Sequence, residues 1–480
     1  MVDPPPLLAI PVEIQLAICR QLVKCHSESP DPDSLAYPTW QDALENFGAL
    51  GSLSQTCKSL QSVVNPLLYE CLNVSIYHPR SFMRLIEHFS QFGNRAALVK
   101  ELNIGTSKVP EADMLIECAI SAATVNFLLR EANRLGLQLP PGGIDLSDSL
   151  ESLLIDVILC QVPTVQKLVL SLSWTMSAER LASLNCGLFI FAGDPASDFM
   201  ALRYATRLPK TFTLTSLRRL EARPSKGQRQ TILSKIHRES LTALLYHAPA
   251  LTHLQIGQYE EQQPGGILQD FLPELKSIHL DEASDLDLAA IARFCPKLEK
   301  CRIGPELSRD LSYNDWAIGS VTPQMMFSPG TPPPSIMNCL MKLLLPSRAT
   351  LRELNVEWDK AGFLTAQQLA PHLSRFTNLQ SLRLVLWQWP KGGNASAMMI
   401  DSLPASIESL CLGGRGIPVC DIAVLLCQRF GEGRFPGLKR FRYRPRIREE
   451  RTLGLEEKVV ETFKGTGVDC AEEIPDLQDI

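Results

Sequence analysis

The stretch RFPGLKRFRYRPRIREER at 434–451 alternates Arg440, Arg442, Arg444, Arg446 and Arg448 with Phe441, Tyr443 and Ile447. On a strand, that alternation sends the arginines to one face and the apolar residues to the other. A guanidinium fork grips a carboxylate or phosphate bidentately, so the row suits an acidic or phosphorylated segment of another protein. The preferred reading is plainer: the last strand of a sheet needs charge against pairing with stray strands. Other reactive residue types are dispersed. The 14 cysteines form no Cys-x-x-Cys pair, and Cys118, Cys160, Cys339 and Cys427 sit in apolar runs, as reduced, buried thiols do. Cys411, Cys420 and Cys427 are the nearest approach to a metal cluster, without a histidine close by, so no metal is read there. The chain has no Gly-x-x-x-x-Gly-Lys-Ser/Thr loop and no Gly-x-Ser-x-Gly elbow. LGGRGIP at 412–418 lacks the lysine and reads as a tight turn. Neither a catalytic residue nor a cofactor is assigned.

The elements that carry these residues follow from a recurring phrase, apolar-x-x-apolar-x-apolar. Its copies are VKELNI (99–104), VQKLVL (165–170), LRRLEA (217–222), LTHLQI (251–256), LKSIHL (275–280), LEKCRI (298–303), LRELNV (351–356), LQSLRL (379–384), IESLCL (407–412) and LKRFRY (438–443). The phrase alone is weak, since three apolar positions coincide by chance at about nine per cent of starts. Context decides: helical text such as ESLLIDVILCQVP and LTALLYHAP precedes several copies, and Pro163, Pro249 and Pro296 stop each helix before a strand begins. Spacings of 52 and 53 residues between some copies are about twice 26, within the range of a β/α repeat. The second and third apolar residues then point inward and the alternating residues line the opposite, concave face. Candidate client-binding residues on that face are Arg219, Arg223, His253, His279, Arg302, Arg383, Arg440, Arg442 and Arg444. The whole outward set holds nine Lys/Arg against five Asp/Glu, on a chain of net charge −5.

This array resembles the leucine-rich repeats, with a departure: the family's Asn or Cys after the strand is replaced by Ser107, Ser173, Ser225 and Asp359 in some copies and by residues such as Trp387 in others. The start of the chain carries a second resemblance. Ile10-Pro11-x-Glu13-Ile14 opens a helix with Ile14, Ile18 and Leu22 on one face, and Leu53-Ser54-x-Thr56-Cys57-Lys58-x-Leu60 runs into Pro66-Leu67-Leu68-Tyr69. Ser54 reads as the cap of the later helix and Pro66 as its end. Together these segments resemble the F-box, a helical adaptor-binding module, lengthened by a Pro/Ser/Asp-rich insertion at 25–46. The resemblance implies contact with a Skp-family adaptor, and through it a cullin scaffold, by Pro11, Glu13, Ile14, Ile18, Leu22, Leu53 and Leu60.

The expected fold class is α/β. Residues 1–72 form a three-helix F-box-like module, 73–95 a connecting helix or linker, and 96–451 an irregular leucine-rich-repeat-like solenoid with a Pro/Ser-rich loop at 304–337. Residues 452–480 form a short helix and an acidic tail. A chain of 480 residues exceeds one ordinary core. At 45% hydrophobic and 21% charged it has a globular balance. Its net negative charge argues against nucleic-acid binding as a whole. It has no apolar run of membrane-spanning length, and MVDPPPLLAIP lacks the basic start of a secretory signal. The resemblances imply a non-catalytic substrate receptor of an SCF-type ubiquitin ligase, in the cytoplasm, the nucleus or both. The rivals are a repeat scaffold whose N-terminal helices are only a cap, and an α/β hydrolase or transferase with a deep polar pocket.

Overall fold

The computed structural model describes residues 10–27, 49–75, 79–105, 122–139, 146–171, 207–223, 238–256, 274–280, 295–304, 344–358, 372–389, 394–445 and 455–472. The chain divides into two compact units, Met1–Lys226 with Glu239–Ala250, and Gly227–Arg238 with Leu251–Ile480.

In the first unit, α1 (Val12–Ser27), α2 (49–56) and α3 (Lys58–Glu70) share a small apolar core of Cys19, Leu50, Val63, Val64 and Leu67, with Leu16, Leu53 and Leu68 packed against it. Two local expectations change here. Pro66 lies inside α3 and does not end it, and Cys57 caps α3, its Sγ accepting from the Leu60 amide at 3.5 Å. Ser54 turns back within α2 to the Gly51 carbonyl at 2.7 Å. The helix survives Pro66 because the turns on either side are anchored by the buried Val63, Val64 and Leu67. The expected insertion at 25–46 begins in helix, since α1 continues to Ser27; its remainder lies outside the described residues.

The same unit contains β1 (Cys71–Ser75), β2 (Glu101–Gly105), β3 (Lys167–Ser171) and β4 (Arg219–Arg223), each parallel to the next. The stretch 73–95, expected as a connector, starts inside β1 and then forms α4 (Pro79–Gln91) and α5 (Gly93–Ala96). Beyond β2 come α6 (Ala122–Arg134) and α7 (Leu146–Gln161), and beyond β4 comes α8 (Arg238–His247). Glu131, 4% exposed, accepts from Ser90 Oγ at 3.1 Å, Gln161 Nε2 at 2.9 Å and Arg134 Nε at 2.8 Å, which ties α4, α6 and α7 together. The Arg134 fork holds the Glu131 carboxyl below its ordinary value, against burial that would raise it.

The second unit contains β5 (His253–Ile256), β6 (Ser277–Leu280), β7 (Lys300–Ile303), β8 (Glu353–Trp358), β9 (Ser381–Gln388), β10 (Ser409–Arg415), β11 (Arg440–Pro445) and β12 (Asp469–Glu472), again parallel and in chain order. Helices α9 (Ala395–Asp401), α10 (Val419–Gly431) and α11 (Leu455–Thr462) fall in the segments between its later strands. Ten of the twelve strands of the two units coincide with the ten recurring phrases. β1 and β12 extend the array beyond the expected bounds of 96 and 451. The inward rows are almost wholly buried: Leu102, Leu168 and Leu220 in one unit; Leu254, Ile278, Cys301, Leu354, Leu382, Leu410 and Phe441 in the other.

A regular backbone ladder runs along the edge where strands begin. Lys276 N bonds Thr252 O, Glu299 N bonds Lys276 O, Arg352 N bonds Glu299 O, and the pattern continues through Gln380, Glu408 and Lys439 to Asp469, at 2.7–2.8 Å. Side chains reinforce the same edge. The residue just before the first apolar position donates to the preceding repeat: Thr350 Oγ1 to Leu298 O at 2.8 Å, Asn378 Nδ2 to Ala349 O at 2.6 Å, Ser406 Oγ to Leu379 O at 2.8 Å. Where that position carries charge, Lys297 pairs with Glu274 at 2.7 Å. Ser107, Ser173, Ser225 and Asp359 lie outside the described residues.

Candidate functional site

Two surfaces carry the residues singled out by sequence. On α1, the Pro11 carbonyl accepts the amides of Ile14 and Gln15 at 3.0 and 3.1 Å, which starts the helix just after the proline. Gln15 and Cys19, four residues apart, are buried with Leu16 beside them. The other side of the helix is apolar and open: Ile14 is 50% exposed and Ile18 46%, while Val12, one turn before Leu16 on the core side, is 54% exposed where the helix opens. Pro11 and Glu13 are exposed as well. Leu53 is half-buried against the helical core and Leu60 is 5% exposed, so these two face inward. The side chain of Leu22 lies outside the described residues.

The client-binding candidates divide between the units. Arg219 forms an ion pair with Glu221 at 2.5 Å in the first, where Lys167 also bonds Glu101 at 2.8 Å. Arg223 ends β4 in register with Ser171, its side chain undescribed. In the second unit, register aligns the outward residues in rows. One row runs Gln255, His279, Arg302, Asn355, Arg383, Cys411, Arg442, Ala471; the row below runs His253, Ser277, Lys300, Glu353, Ser381, Ser409, Arg440, Asp469. His253 and His279 are therefore diagonal neighbours on adjacent strands. His253 is exposed, with its Nδ1 2.9 Å from Thr252 Oγ1.

Most of the arginines are already engaged. Arg442 Nη2 bonds Asp469 Oδ2 at 2.5 Å, and the Asp469 carboxyl is held below its ordinary value, first by Arg442 and also by Arg440. Glu357 sits between two guanidiniums, Arg444 at 3.2 Å and Arg383 at 3.7 Å. Lys300 bonds Glu353 at 2.8 Å. Arg302 and Arg440 are exposed and enter no ion pair among the described residues. The edge-protection reading of the arginine row fails, because β11 is an interior strand with β12 beside it. Arg446 and Arg448 lie outside the described residues. Sequence reasoning treated the residues from 469 on as an acidic tail; the alternation V-D-C-A-E was the available sign of a further strand.

Pairing between Glu357 and Arg444 needs a particular floor. Between them in the row stand Val385 and Gly413. A Cβ on Gly413 would lie 2.9 Å from the Arg444 carbonyl and 3.1 Å from its Cβ. The glycine leaves the path open for the Arg444 side chain to cross.

Other chemistry is sparse. Among the described residues no group of three His, Cys, Asp or Glu could hold a metal ion, and no helix is long and apolar enough to cross a membrane. An open cavity of about 380 Å³ lies at the edge where strands begin, lined by Thr350, Arg352, Asn378 and Gln380 among others. It is built largely from the residues of the backbone and side-chain ladders.

What the geometry defines is a parallel β/α repeat protein with a mixed helix-and-sheet fold. No protein-family model matches the chain. No curated protein matches it either. Among solved structures it is similar to the leucine-rich repeat-containing protein LegL7 from Legionella pneumophila, at 15% identity and a TM-score of 0.30, over 69% of this chain and 96% of that one. The strand register, and not that likeness, establishes the repeat architecture.

Proposed function

We propose that the chain is the substrate-recognition subunit of an SCF-type ubiquitin ligase. Its N-terminal helices dock on a Skp-family adaptor, and through it a cullin scaffold, while the polar sheet face holds a client protein. The observation that carries this reading is the divided character of α1: one side packs into the helical core, and the other leaves Ile14 and Ile18 half exposed. A helix serving only as an internal cap would bury that stripe. Fully burying an aliphatic side chain contributes about 1.5–3 kcal/mol, so completing the burial of two half-exposed ones gives about 1.5–3 kcal/mol, an affinity factor of roughly 10 to 150. The chain itself breaks no bond and needs no cofactor. Its contribution is proximity, holding client lysines near a charged conjugating enzyme, in the cytoplasm or nucleus. The coarser reading, a repeat scaffold for protein binding, rests on the sheet alone.

The experiment is co-purification of the full chain with a Skp-family adaptor. Pro11→Ala with Ile14→Asp should abolish the adaptor and leave the thermal unfolding profile unchanged. Full retention of the adaptor sinks the ligase reading and leaves the scaffold.

A further inference from the structure

Among the described side chains on the sheet face of the second unit, six cations (Lys300, Arg302, Arg383, Arg440, Arg442, Arg444) stand with three carboxylates (Glu353, Glu357, Asp469). Three of these cations have their nearest acid within 3.2 Å, and Arg383 shares Glu357. The surplus is concentrated on Arg302 and Arg440, both exposed and without an ion pair among the described residues. They stand four strands apart, on β7 and β11, and one row apart along the strands. At about 4.8 Å per strand and about 6.6 Å per row, their Cα atoms are separated by about 20 Å. The floor between them includes small side chains, Ser381, Ser409 and Cys411.

We infer that this face binds an extended acidic segment of a partner protein, lying across the strands, with one carboxylate on Arg302 and a second on Arg440. The inference rests on the proposed client-binding role of the sheet. An extended chain rises about 3.3 Å per residue, so the two acids stand about six residues apart. Such a segment reaches both exposed guanidiniums without breaking an ion pair among the described residues. Carboxylate is favoured over phosphate at the Arg440 end, because Asp469 stands directly opposite Arg440 and repels a dianion more strongly than a single charge. A protein segment is favoured over nucleic acid because the chain is net negative and the face carries its own carboxylates.

The test uses the full chain and fluorescein-labelled Gly/Ser peptides with two glutamates three, six or nine residues apart, read by fluorescence anisotropy at low salt. The six-residue spacing should bind tightest. Charge reversal by Arg302→Glu or Arg440→Glu should weaken it about fivefold each, in line with one exposed ion pair. The double variant should recover binding to a peptide with lysines at the same two positions, which separates lost charge from lost folding. Equal binding of all spacings, or of the glutamate peptide to wild type and double variant, overturns the inference. Preference for phosphoserine over glutamate at the Arg440 end, or tighter binding of a DNA oligonucleotide, overturns it too. Adaptor co-purification is read separately, so the ligase reading can fail while the peptide still binds.

Discussion

Replacing Glu357 by alanine tests whether the sheet face is held together by its own charges. The Glu357 and Arg444 side chains are each 14% exposed and Arg383 is 23% exposed. Fully exposed pairs contribute about 0.2–1 kcal/mol, whereas removing one partner of a buried pair costs about 3–5 kcal/mol. At this exposure Glu357→Ala should cost about 2–3 kcal/mol, because it leaves two guanidiniums facing each other with restricted access to water. Arg444→Ala should cost less, since Glu357 keeps Arg383. The cycle combining the two should show a coupling of about 1–2 kcal/mol. Gly413→Val offers the same lesion by another route. It touches neither charge but places a side chain against Arg444 and within 3.2 Å of Val385 Cγ2, blocking the path to Glu357. Its cost should combine overpacking of about 1–3 kcal/mol with the loss of the pair. Denaturant titration followed by tryptophan fluorescence suits the measurement, because Trp389 is buried in the same unit. A coupling below about 0.5 kcal/mol, as for independent sites, would refute the claim that Arg444 and Glu357 act together.

Two further outcomes follow from the packing. His247 is 4% exposed and donates from Nδ1 to the Phe212 carbonyl at 2.8 Å; burial lowers its pKa below the ordinary 6.5, partly offset by that hydrogen bond. The unfolded chain therefore takes up the proton first, so stability is full above about pH 6.5 and falls as the solution acidifies towards the folded value. Thermal unfolding from pH 8 to 5 should show this loss, and His247→Gln should reduce it; rising stability on acidification contradicts the assignment. Thr350→Val removes the hydroxyl bonds to Leu298 and Ser347 and should cost about 1 kcal/mol; no change in the denaturation midpoint would show that the ladder contributes nothing.

The strands were legible because each repeat obeys a local rule. A strand that must bury every second residue writes that demand into consecutive positions, and ten phrases became ten strands. The two strands missed depart from the rule for physical reasons. β1 follows α3 without a break, so Tyr69-x-x-Leu72-x-Val74 is taken up in the helical reading of the preceding text. β12 has Gly467 and Glu472 where the phrase has apolar residues, because its last position is only half-buried. Partners across the sheet were not legible. Glu357 and Arg444 are 87 residues apart and meet only because Gly413 leaves the space between them empty. On α1 the Ile14–Ile18 spacing was legible, but not which side of the helix packs inward. The helix has two apolar sides, and period alone cannot tell which one, Leu16–Cys19 or Ile14–Ile18, turns towards the core.

The two candidate surfaces use opposite physics. The α1 stripe is apolar and carries no compensating charge, so whatever covers it gains from area removed from water, largely regardless of salt. The sheet face of the second unit is polar and mostly satisfied within itself, so it offers little net energy to a neutral partner. Its selectivity resides in the minority of charges left over. A constant docking partner requires affinity that does not vary with conditions, and an apolar stripe provides that. A client that must be released requires contacts that are weak singly and specific together, which is what two exposed arginines on a self-neutralised sheet supply. On the reading proposed above, the uneven pairing of the arginines is the meaningful feature: Arg383, Arg442 and Arg444 are paired within the face, and Arg302 and Arg440 would meet the incoming acids.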